Sequence, residues 1–490
     1  MTDRSDNDVR SAMESLELLD LAKCGTVAEL VEGMRKCSFG ARMLGEAVAT
    51  IASWIKEGAP PFVVYDRKIQ KNVSIILESM RSRGFVKRIM TSEEYVYSHS
   101  IDGDTPVLVV DFISGLETAL YEKSSRSISI NQFGQAKPGK VRDGFFPDVV
   151  FSDPAFVLPV IYSALMEIIE GRKTSVIDFV ESLEDKDGLA GEVYQGATTL
   201  QAMVNDPDCT VFLTLSGAMT IAKMGLLICD LIDHEMVQYI SSTGALMAHG
   251  LIEGIGLKHY KYDPRYSDSI LADQSINRVT DTLEPEENFD HIEKIVEEVL
   301  SDWGGGDPKL ISSPSDFHRA IGEYLHKHYP NDRAILKSAF ERNVPVCVPA
   351  FADSEIGNDL YVENERRGRE IRPSIIMNLE RDTALLLDMA KNSRRMGIFS
   401  IGGGVPRNNT QNVAPLIEIM NNRLGVGLPE RRFFYGCRID PTPLWYGNLS
   451  GCTYSEGGSW RKMDFNGQFA EVHADATIVW PFIQKFAMNR

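Results

Sequence analysis

Residues 211–220, VFLTLSGAMT, decide the fold of this 490-residue chain. The first five are apolar or β-branched, which predicts a strand buried on both faces, as in a parallel sheet. Ser216 and Gly217 follow directly, and such small residues indicate a tight loop where the strand ends. A helical pattern at 225–232 and a second strand at 237–240 continue the alternation. This order of elements predicts an α/β protein with a doubly wound, mostly parallel sheet.

Three more predicted strands end in small residues in the same way. The four loops contain Ser216-Gly217, Thr243-Gly244, Ala352-Asp353 and Gly402-Gly403. In a doubly wound, Rossmann-like sheet, ligands bind beyond the carboxyl ends of the strands, where glycines let backbone N–H groups approach a phosphate. The standard dinucleotide fingerprint, Gly-x-Gly-x-x-Gly with an acidic residue about 20 positions later, is absent. Because a tight turn needs glycine for geometry alone, each single loop keeps a purely structural alternative.

The N-terminal part of the chain repeats the same pattern. Sliding residues 27–55 onto 176–204 superposes their apolar positions with five identities, and residues 85–89 then align with 236–240. This correspondence predicts a decayed internal duplication, although any two βα units share similar spacing.

The predicted organisation has three segments. Residues 1–24 form a polar leader, residues 25–172 hold the first helix and a large α/β insertion, and residues 173–490 hold the main sheet. Within the insertion, residues 125–155 are rich in glycine and proline and are predicted to be loop.

Composition excludes several classes of protein. With 69 acidic and 51 basic residues, the net charge is −18, which disfavours nucleic-acid binding and favours cationic ligands. The most apolar run, residues 156–169, is shorter than the roughly 20 residues that span a bilayer, and the N-terminus lacks the apolar core of a signal peptide. Seven dispersed cysteines without a Cys-x-x-Cys pair indicate reduced thiols. The chain is therefore predicted to be cytoplasmic, without membrane contact.

Residues 445–462 combine aromatic side chains, glycines, one acidic residue and a lysine. Trp460 and Glu456 together suit an aliphatic ammonium group, through cation–π attraction and ion pairing. Lys462, if desolvated beside Trp460, would have a lowered pKa and could act as a Schiff-base nucleophile. The alternative is a solvated lysine in a glycine-rich surface loop. His326 and His328 have no third ligand at a suitable spacing, so no metal site is predicted.

The chain from about residue 200 to the C-terminus resembles the deoxyhypusine synthase family, and more closely its bacterial deoxyhypusine synthase-like branch. The segments that carry the resemblance are 209–219, 242–249, 346–353, 402–406, 449–456, 459–462 and 474–476, with 38–47 near the N-terminus. Their number and order make the resemblance specific. It implies the deoxyhypusine synthase fold, with an NAD-binding catalytic domain over residues 173–490.

The resemblance implies an NAD-dependent transfer of a 4-aminobutyl group from spermidine or a related polyamine. NAD accepts a hydride from the polyamine, an active-site lysine captures the 4-aminobutyl group as an imine, and diaminopropane leaves. The acceptor is a protein lysine in deoxyhypusine synthases and putrescine in homospermidine synthases. Lys462 matches the nucleophile, and Trp460 and Glu456 match residues that contact the polyamine. The residues expected to hold NAD are Ser216, Gly217, Thr243, Gly244, Asp353, Gly402, Gly403, Ser450, Asp475 and Ala476. The family also implies a homotetramer.

Five positions depart from the eukaryotic pattern, and at one of them His249 replaces an acidic NAD contact. Asn408 stands where those members carry a histidine near the polyamine, whereas Asn358, Tyr446 and Leu449 stand where they carry acids. Because each buried cation needs an anion, these changes weaken the case for spermidine held at two charged ends. The bacterial branch looks similar at several of these positions, which favours an altered substrate over inactivity. The alternative is a non-catalytic, regulatory paralogue that binds NAD, against which the retained Lys462 argues.

Overall fold

The computed structural model describes residues 9–65, 70–98, 103–110, 124–131, 148–302 and 311–489. The helices are α1 (Val9–Ala12), α2 (Val27–Arg35), α3 (Phe39–Lys56), α4 (Lys71–Ser82), α5 (Ser92–Tyr97), α6 (Pro154–Glu170), α7 (Val176–Glu181), α8 (Leu189–Asn205), α9 (Gly225–Asp233), α10 (Gly244–Gly254), α11 (Asp268–Asp273), α12 (Glu287–Asp302), α13 (Pro314–His328), α14 (Ile335–Glu341), α15 (Glu355–Arg369), α16 (Leu379–Asn392), α17 (Gly404–Gln411), α18 (Val413–Leu424), α19 (Tyr454–Ser459) and α20 (Ala476–Ala487). None of these helices is both long and apolar enough to span a membrane within the described ranges.

The strands of the described residues form four sheets. They are β1 (Phe62–Tyr65), β2 (Arg88–Thr91), β3 (Val107–Val110), β4 (Ser127–Ile130), β5 (Val149–Val150), β6 (Cys209–Leu215), β7 (Tyr239–Ser242), β8 (Tyr260–Lys261), β9 (Ile276–Val279), β10 (Thr282–Pro285), β11 (Ile311–Ser312), β12 (Val346–Cys347), β13 (Ile376–Met377), β14 (Arg395–Ile401), β15 (Phe433–Ile439) and β16 (Met463–Val472).

The largest sheet has the order β12-β7-β6-β14-β15-β16, and every neighbouring pair is parallel. Its central strands are buried on both faces. Phe212 and Ile398 pack in one apolar cluster, and the next residues along, Leu213 and Phe399, pack in another. Because successive side chains of a strand point to opposite faces, helices must cover both sides. The predicted doubly wound α/β fold is confirmed.

The four strands that end in the predicted small-residue loops are consecutive in this sheet, in the order β12-β7-β6-β14. Parallel strands end at a common edge, so their loops meet there. Between β7 and β14 the chain also forms an antiparallel sheet, β8-β10-β9, and a two-stranded parallel sheet, β11-β13.

A second parallel sheet lies in the N-terminal region, with the order β2-β1-β3-β4-β5. The prediction that residues 125–155 are loop is wrong for part of this range, because β4, β5 and the start of α6 lie within it. Strand β4 reads Ser-Ile-Ser-Ile and is buried on both faces, so its serines conceal a core strand in a stretch that looks polar. Residues 132–147, which hold most of the glycines and prolines, lie outside the described residues.

The prediction of a polar leader over residues 1–24 is wrong for residues 9–24. Leu19 and Leu21 are buried in the main core, and the Leu16 N–H donates to His259 O over 3.0 Å. Apolar residues spaced among acids pack here against segments more than 200 positions away, which local composition does not reveal. Residues 1–8 lie outside the described part of the chain.

The two halves contact each other through corresponding residues. The Val27 N–H donates to Thr174 O over 3.0 Å, and the Val176 N–H donates to Gly25 O over 3.1 Å. In the alignment of 27–55 with 176–204, each of these bonds becomes the other when the two segments are exchanged. The bonds therefore have local two-fold pseudosymmetry. The domain boundaries and the duplication itself stay predictions.

Candidate active site

The loops after β6 and β14 interlock at the carboxyl edge of the large sheet. The Ser216 N–H donates to Ile401 O over 3.0 Å, and Ser216 Oγ donates to the same carbonyl over 3.2 Å. Gly402 has a φ of 76°, and a Cβ there would lie 2.2 Å from Ser216 Oγ. Only glycine fits this approach, so the structure brings Ser216, Gly217, Gly402 and Gly403 together.

Ser450 joins this group from the segment between β15 and β16. A Cβ on Gly403 would lie 2.7 Å from Ser450 Cα and 3.0 Å from Asp440 Oδ2. The segment that holds the predicted nucleophile is thereby packed against the glycine loop after β14.

Thr243, Gly244 and Asp353 form a neighbouring group. The Thr243 N–H donates to Leu215 O over 3.2 Å, which ties the loop after β7 to β6. A Cβ on Gly244 would lie 2.4 Å from Ser354 Cβ, so the loops after β7 and β12 are in close contact. Asp353 is exposed at this edge.

Two glycines with positive φ at this edge have open space beside their backbone. A Cβ on Gly217, whose φ is 77°, would meet only Met219 Cε at 3.9 Å, and one on Gly404, whose φ is 66°, would meet nothing within 4 Å among the described residues. Gly404 also begins α17, where backbone N–H groups are free to face an anion. These features fit the pyrophosphate of a dinucleotide such as NAD.

Asp475 and Ala476 lie at the carboxyl end of β16, but the Asp475 carboxylate already has partners. It accepts the Thr477 N–H and hydroxyl, over 2.8 and 2.9 Å, and the backbone N–H of Gly40 at the start of α3. Burial raises its pKa in spite of these bonds. Asp475 therefore joins the two halves of the chain at the edge where NAD was expected.

Lys462 directly precedes β16 and is 9% exposed. Its Nζ donates to Asn408 Oδ1, on α17, over 2.7 Å. Burial lowers the pKa of Lys462, and the nearby Arg407 guanidinium acts in the same direction. Cys452 and Glu456 oppose the shift without reversing it. The alternative of a fully solvated surface lysine is wrong, because the residue is largely buried and its amine bonds to Asn408.

Two buried arginines, which the sequence analysis missed, hold the segment before Lys462. Arg407 Nη2 and Arg438 Nη1 both donate to Cys452 O, over 2.6 and 2.9 Å. Arg438 Nη1 also donates to Ser450 O over 2.7 Å. A sequence signal existed, because Arg438 interrupts the otherwise apolar strand β15. Charged donors to main-chain carbonyls fix the path of this segment and hence the position of Lys462.

The remaining substrate-binding predictions lie at different depths. Glu456 and Trp460 are exposed on α19 and at its end, and Trp460 is 65% exposed. Glu456 is near enough to Lys462 to influence its pKa. Asn358 is exposed in the first turn of α15, five positions after Asp353.

Acidic residues surround Asn358 even though it is itself neutral. The next residue, Asp359, is partly buried, and its pKa is raised to about 6 by burial and by the carboxylates of Glu293 and Glu355. Crowded carboxylates of this kind attract a cation. The neutral Asn358 is visible in the sequence, whereas the coupling of Asp359 to Glu293 depends on the fold.

The C-terminal part of the chain is similar to proteins of one known family. The model of the deoxyhypusine synthase family matches residues 178–487. A protein named "Probable deoxyhypusine synthase 2" from Methanosarcina acetivorans is 31% identical over 303 residues, which are 61% of this chain and 84% of that protein.

Two other relatives represent a second archaeon and a bacterium. "Probable deoxyhypusine synthase 1" of Archaeoglobus fulgidus is 28% identical over 60% of this chain and 88% of its own length. The "Deoxyhypusine synthase-like protein" of Chlorobaculum parvum is 28% identical over 65% of this chain and 87% of its own length. The chain therefore belongs to the deoxyhypusine synthase family.

Proposed function

We propose that this protein is an NAD-dependent 4-aminobutyl transferase that acts on spermidine or a related polyamine through an imine on Lys462. The observation that carries the proposal is the environment of Lys462, a buried amine with a lowered pKa that donates a hydrogen bond to Asn408. A lysine attacks an imine carbon only as the neutral amine, so burial raises the reactive fraction near neutral pH.

Asn408 and the arginines position that amine. The amide oxygen of Asn408 accepts one N–H of Lys462, which fixes the side chain without adding a negative charge that would restore the high pKa. A carboxylate at position 408 would do the opposite. Arg407 and Arg438 keep the preceding segment in place through Cys452 O.

NAD, when bound, supplies the hydride acceptor for the first step and the donor for the last. The residues proposed to hold it are Ser216, Gly217, Thr243, Gly244, Asp353, Gly402, Gly403, Ser450, Asp475 and Ala476. Gly217 and Gly404 leave open space beside the backbone, which supports a dinucleotide lying across this edge.

A cationic substrate agrees with the charges near the site. We assign Glu456 and Trp460 to the ammonium group nearest Lys462, through an ion pair and a cation–π contact. Asn358 contributes a neutral contact, and the carboxylates of Asp359 and Glu355 beside it provide the negative potential for a second ammonium group.

The acceptor is either a protein lysine or a small diamine such as putrescine. A deoxyhypusine synthase-type enzyme modifies a protein lysine, and a homospermidine synthase-type enzyme releases a free polyamine. Incubating the protein with NAD, spermidine and either acceptor distinguishes the two by their products. We expect a homotetramer, which light scattering in solution would test.

Trapping the covalent intermediate is the decisive experiment. The protein is incubated with NAD and spermidine, reduced with borohydride and digested, and the peptide containing Lys462 is expected to gain the mass of an aminobutyl group. Diaminopropane should appear in equal amount. If diaminopropane forms but the label is on another lysine, the assignment of Lys462 is wrong. If NAD binds but neither product forms with any polyamine, the chain is a regulatory paralogue.

A further inference from the structure

Three side chains of types that ligate metal ions meet in the interior of the protein. They are His249 on α10, His259 in the segment after that helix, and Glu284 on β10. One ligand atom from each lies within 4.8 Å of the others. All three residues are at least nine-tenths buried, at 9%, 0% and 2% exposure.

The contacts within this cluster are close but poorly directed for hydrogen bonds. His249 Nδ1 lies 2.7 Å from Glu284 Oε2, and His259 Nε2 lies 3.2 Å from Glu284 Oε1. Yet His249 Nδ1, His259 Nε2 and Glu284 Oε1 have no hydrogen-bond partner of acceptable geometry among the described residues. Buried polar atoms are rarely left in this state. One cation between them would satisfy all three.

The charges around the cluster also favour a bound cation. Lys223 Nζ pairs with Glu253 Oε1 over 2.9 Å, so the negative charge of Glu253 is balanced and that of Glu284 is not. The ion pairs that Glu284 forms within the described residues are those with the imidazoles of His249 and His259. Two neutral histidines and one carboxylate are a ligand set that Zn²⁺ commonly takes, with Zn–N and Zn–O distances of about 2.0–2.2 Å.

Glu253 lies on the side of the His259 ring that faces away from Glu284. Glu253 Oε1 lies 3.7 Å from His259 Nδ1, and metal-bound histidines typically turn their other ring nitrogen toward a carboxylate. Lys223 Nζ lies 3.1 Å from the same nitrogen. A metal on Nε2 places the ring proton on Nδ1, so Lys223 must then bond to Glu253 alone. Lys223 is therefore a competitor of the metal and not part of its site.

We propose that His249, His259 and Glu284 bind a divalent metal ion of borderline hardness, for which Zn²⁺ is the probe. The ion fastens strand β10 and the segment carrying His259 to α10, the helix that begins at Gly244. His249, whose side chain is 11% exposed, is on the side from which the ion enters. The ligands are separated by 10 and 25 positions in the chain, so the expectation of no metal site missed a cluster that only folding assembles.

Zinc titration of the full-length protein tests this site directly. After dialysis against a chelator, the wild type should take up one Zn²⁺ per chain in competition with a chromophoric chelator. Glu284→Gln and His259→Gln should weaken binding by about 100-fold or more, since each removes a ligand. His326→Gln is the matched control, because His326 is exposed and does not belong to the cluster. Its Nδ1 lies 2.8 Å from Glu341 Oε1. This variant should bind as the wild type does.

Two further variants keep the result decisive. If a core variant fails to fold, His249→Gln, at the edge of the cluster, takes its place. Lys223→Met should bind Zn²⁺ at least as tightly as the wild type, because it removes a competing cation. A metal-free ion-pair network gives the opposite result, with no uptake by the wild type and no thermal stabilisation by Zn²⁺. Equal uptake by the wild type, Glu284→Gln and His259→Gln would also overturn the proposal.

Discussion

The N-terminal sheet has the strand order β2-β1-β3-β4-β5, and the C-terminal sheet repeats it as β7-β6-β14-β15-β16, with β12 added at one edge. The helices follow the same plan. Helices α2 and α3 precede the first sheet as α7 and α8 precede the second, and each sheet is followed by a helix with an internal proline, Pro159 in α6 and Pro481 in α20.

The two halves also share an aspartate at the same place. Asp153 caps α6 and accepts the N–H of Leu189, the first residue of α8, over 3.3 Å. Asp475 caps α20 and accepts the N–H of Gly40, the second residue of α3. In each half, an aspartate therefore accepts a backbone N–H at the start of a helix in the other half.

What differs is the material added to the framework. The strands of the first sheet have two to four residues, whereas β6, β14, β15 and β16 have seven to ten. The C-terminal half also carries residues 440–462, which end in Lys462 and are held by two buried arginines. The two halves therefore share a strand order and differ in strand length and in the segment that carries Lys462.

The largest expected effect is at Lys462. Lys462→Arg keeps a positive charge but cannot form an imine, so diaminopropane release should fall by about 10³-fold or more, with little change in the urea midpoint. Single-turnover assays with NAD and spermidine measure the loss. Activity above a tenth of the wild-type rate would show that chemistry does not depend on this lysine.

The paired aspartates test the equivalence of the halves. Asp153→Ala and Asp475→Ala should each lower the free energy of unfolding by about 1–3 kcal/mol, because each removes a helix cap and a bond to the other half. Urea denaturation gives both values. Only Asp475→Ala should also raise the apparent KM for NAD. A stable Asp153→Ala protein would contradict the structural equivalence of the two residues.

The pH profile separates positioning from charge at the lysine. The rate should rise with pH as Lys462 loses its proton, with a midpoint below the ordinary pKa of lysine, because burial lowers that pKa. Asn408→Asp places an anion beside the ammonium form and should move this limb of the profile to higher pH by about one unit. Asn409→Asp, at the next position of α17, is the control. An unshifted profile in Asn408→Asp would mean that another group limits the rate.

The smallest effects are expected at the start of α2 and α7. Thr26 accepts the Glu29 N–H over 3.2 Å, and Ser175 accepts the Asp178 N–H over 3.0 Å. Thr26→Ala and Ser175→Ala should each cost about 1 kcal/mol. The cost at Thr26 should be the larger, because the Glu29 side chain returns a bond to the Thr26 N–H. Thermal unfolding resolves the two, and a larger loss in Ser175→Ala would contradict this order.

Much of the fold could be predicted from local patterns. The apolar strands at 211–215 and 397–401 and the small residues after them identified the largest sheet, because a strand buried on both faces needs a continuous apolar run. The same reasoning failed at β4, where buried serines interrupt that run, and at residues 9–24, where scattered leucines pack against distant segments. In both places the partners that bury the residues are far away in the chain.

The candidate site also combines features that local sequence predicts with features that depend on distant residues. Lys462 could be found from its neighbours Trp460 and Ser459, and its family resemblance supplied a role. Its burial, the bond to Asn408 and the two arginines on Cys452 O could not be found, since the bonds join residues 14 to 54 positions apart. The cluster around Glu284 was missed for the same reason.

The sequence by itself determined the alternation of strands and helices, the four loops at one sheet edge, the nucleophile candidate and the correspondence between the two halves. These depend on the identity and spacing of nearby residues. Only the tertiary structure decided that Lys462 is buried, that Asp475 bonds to the N-terminal half, and where buried acids and histidines meet. Burial and electrostatic coupling depend on atoms within a few ångströms in space, and the chain brings those atoms together from segments that carry no local sign of it.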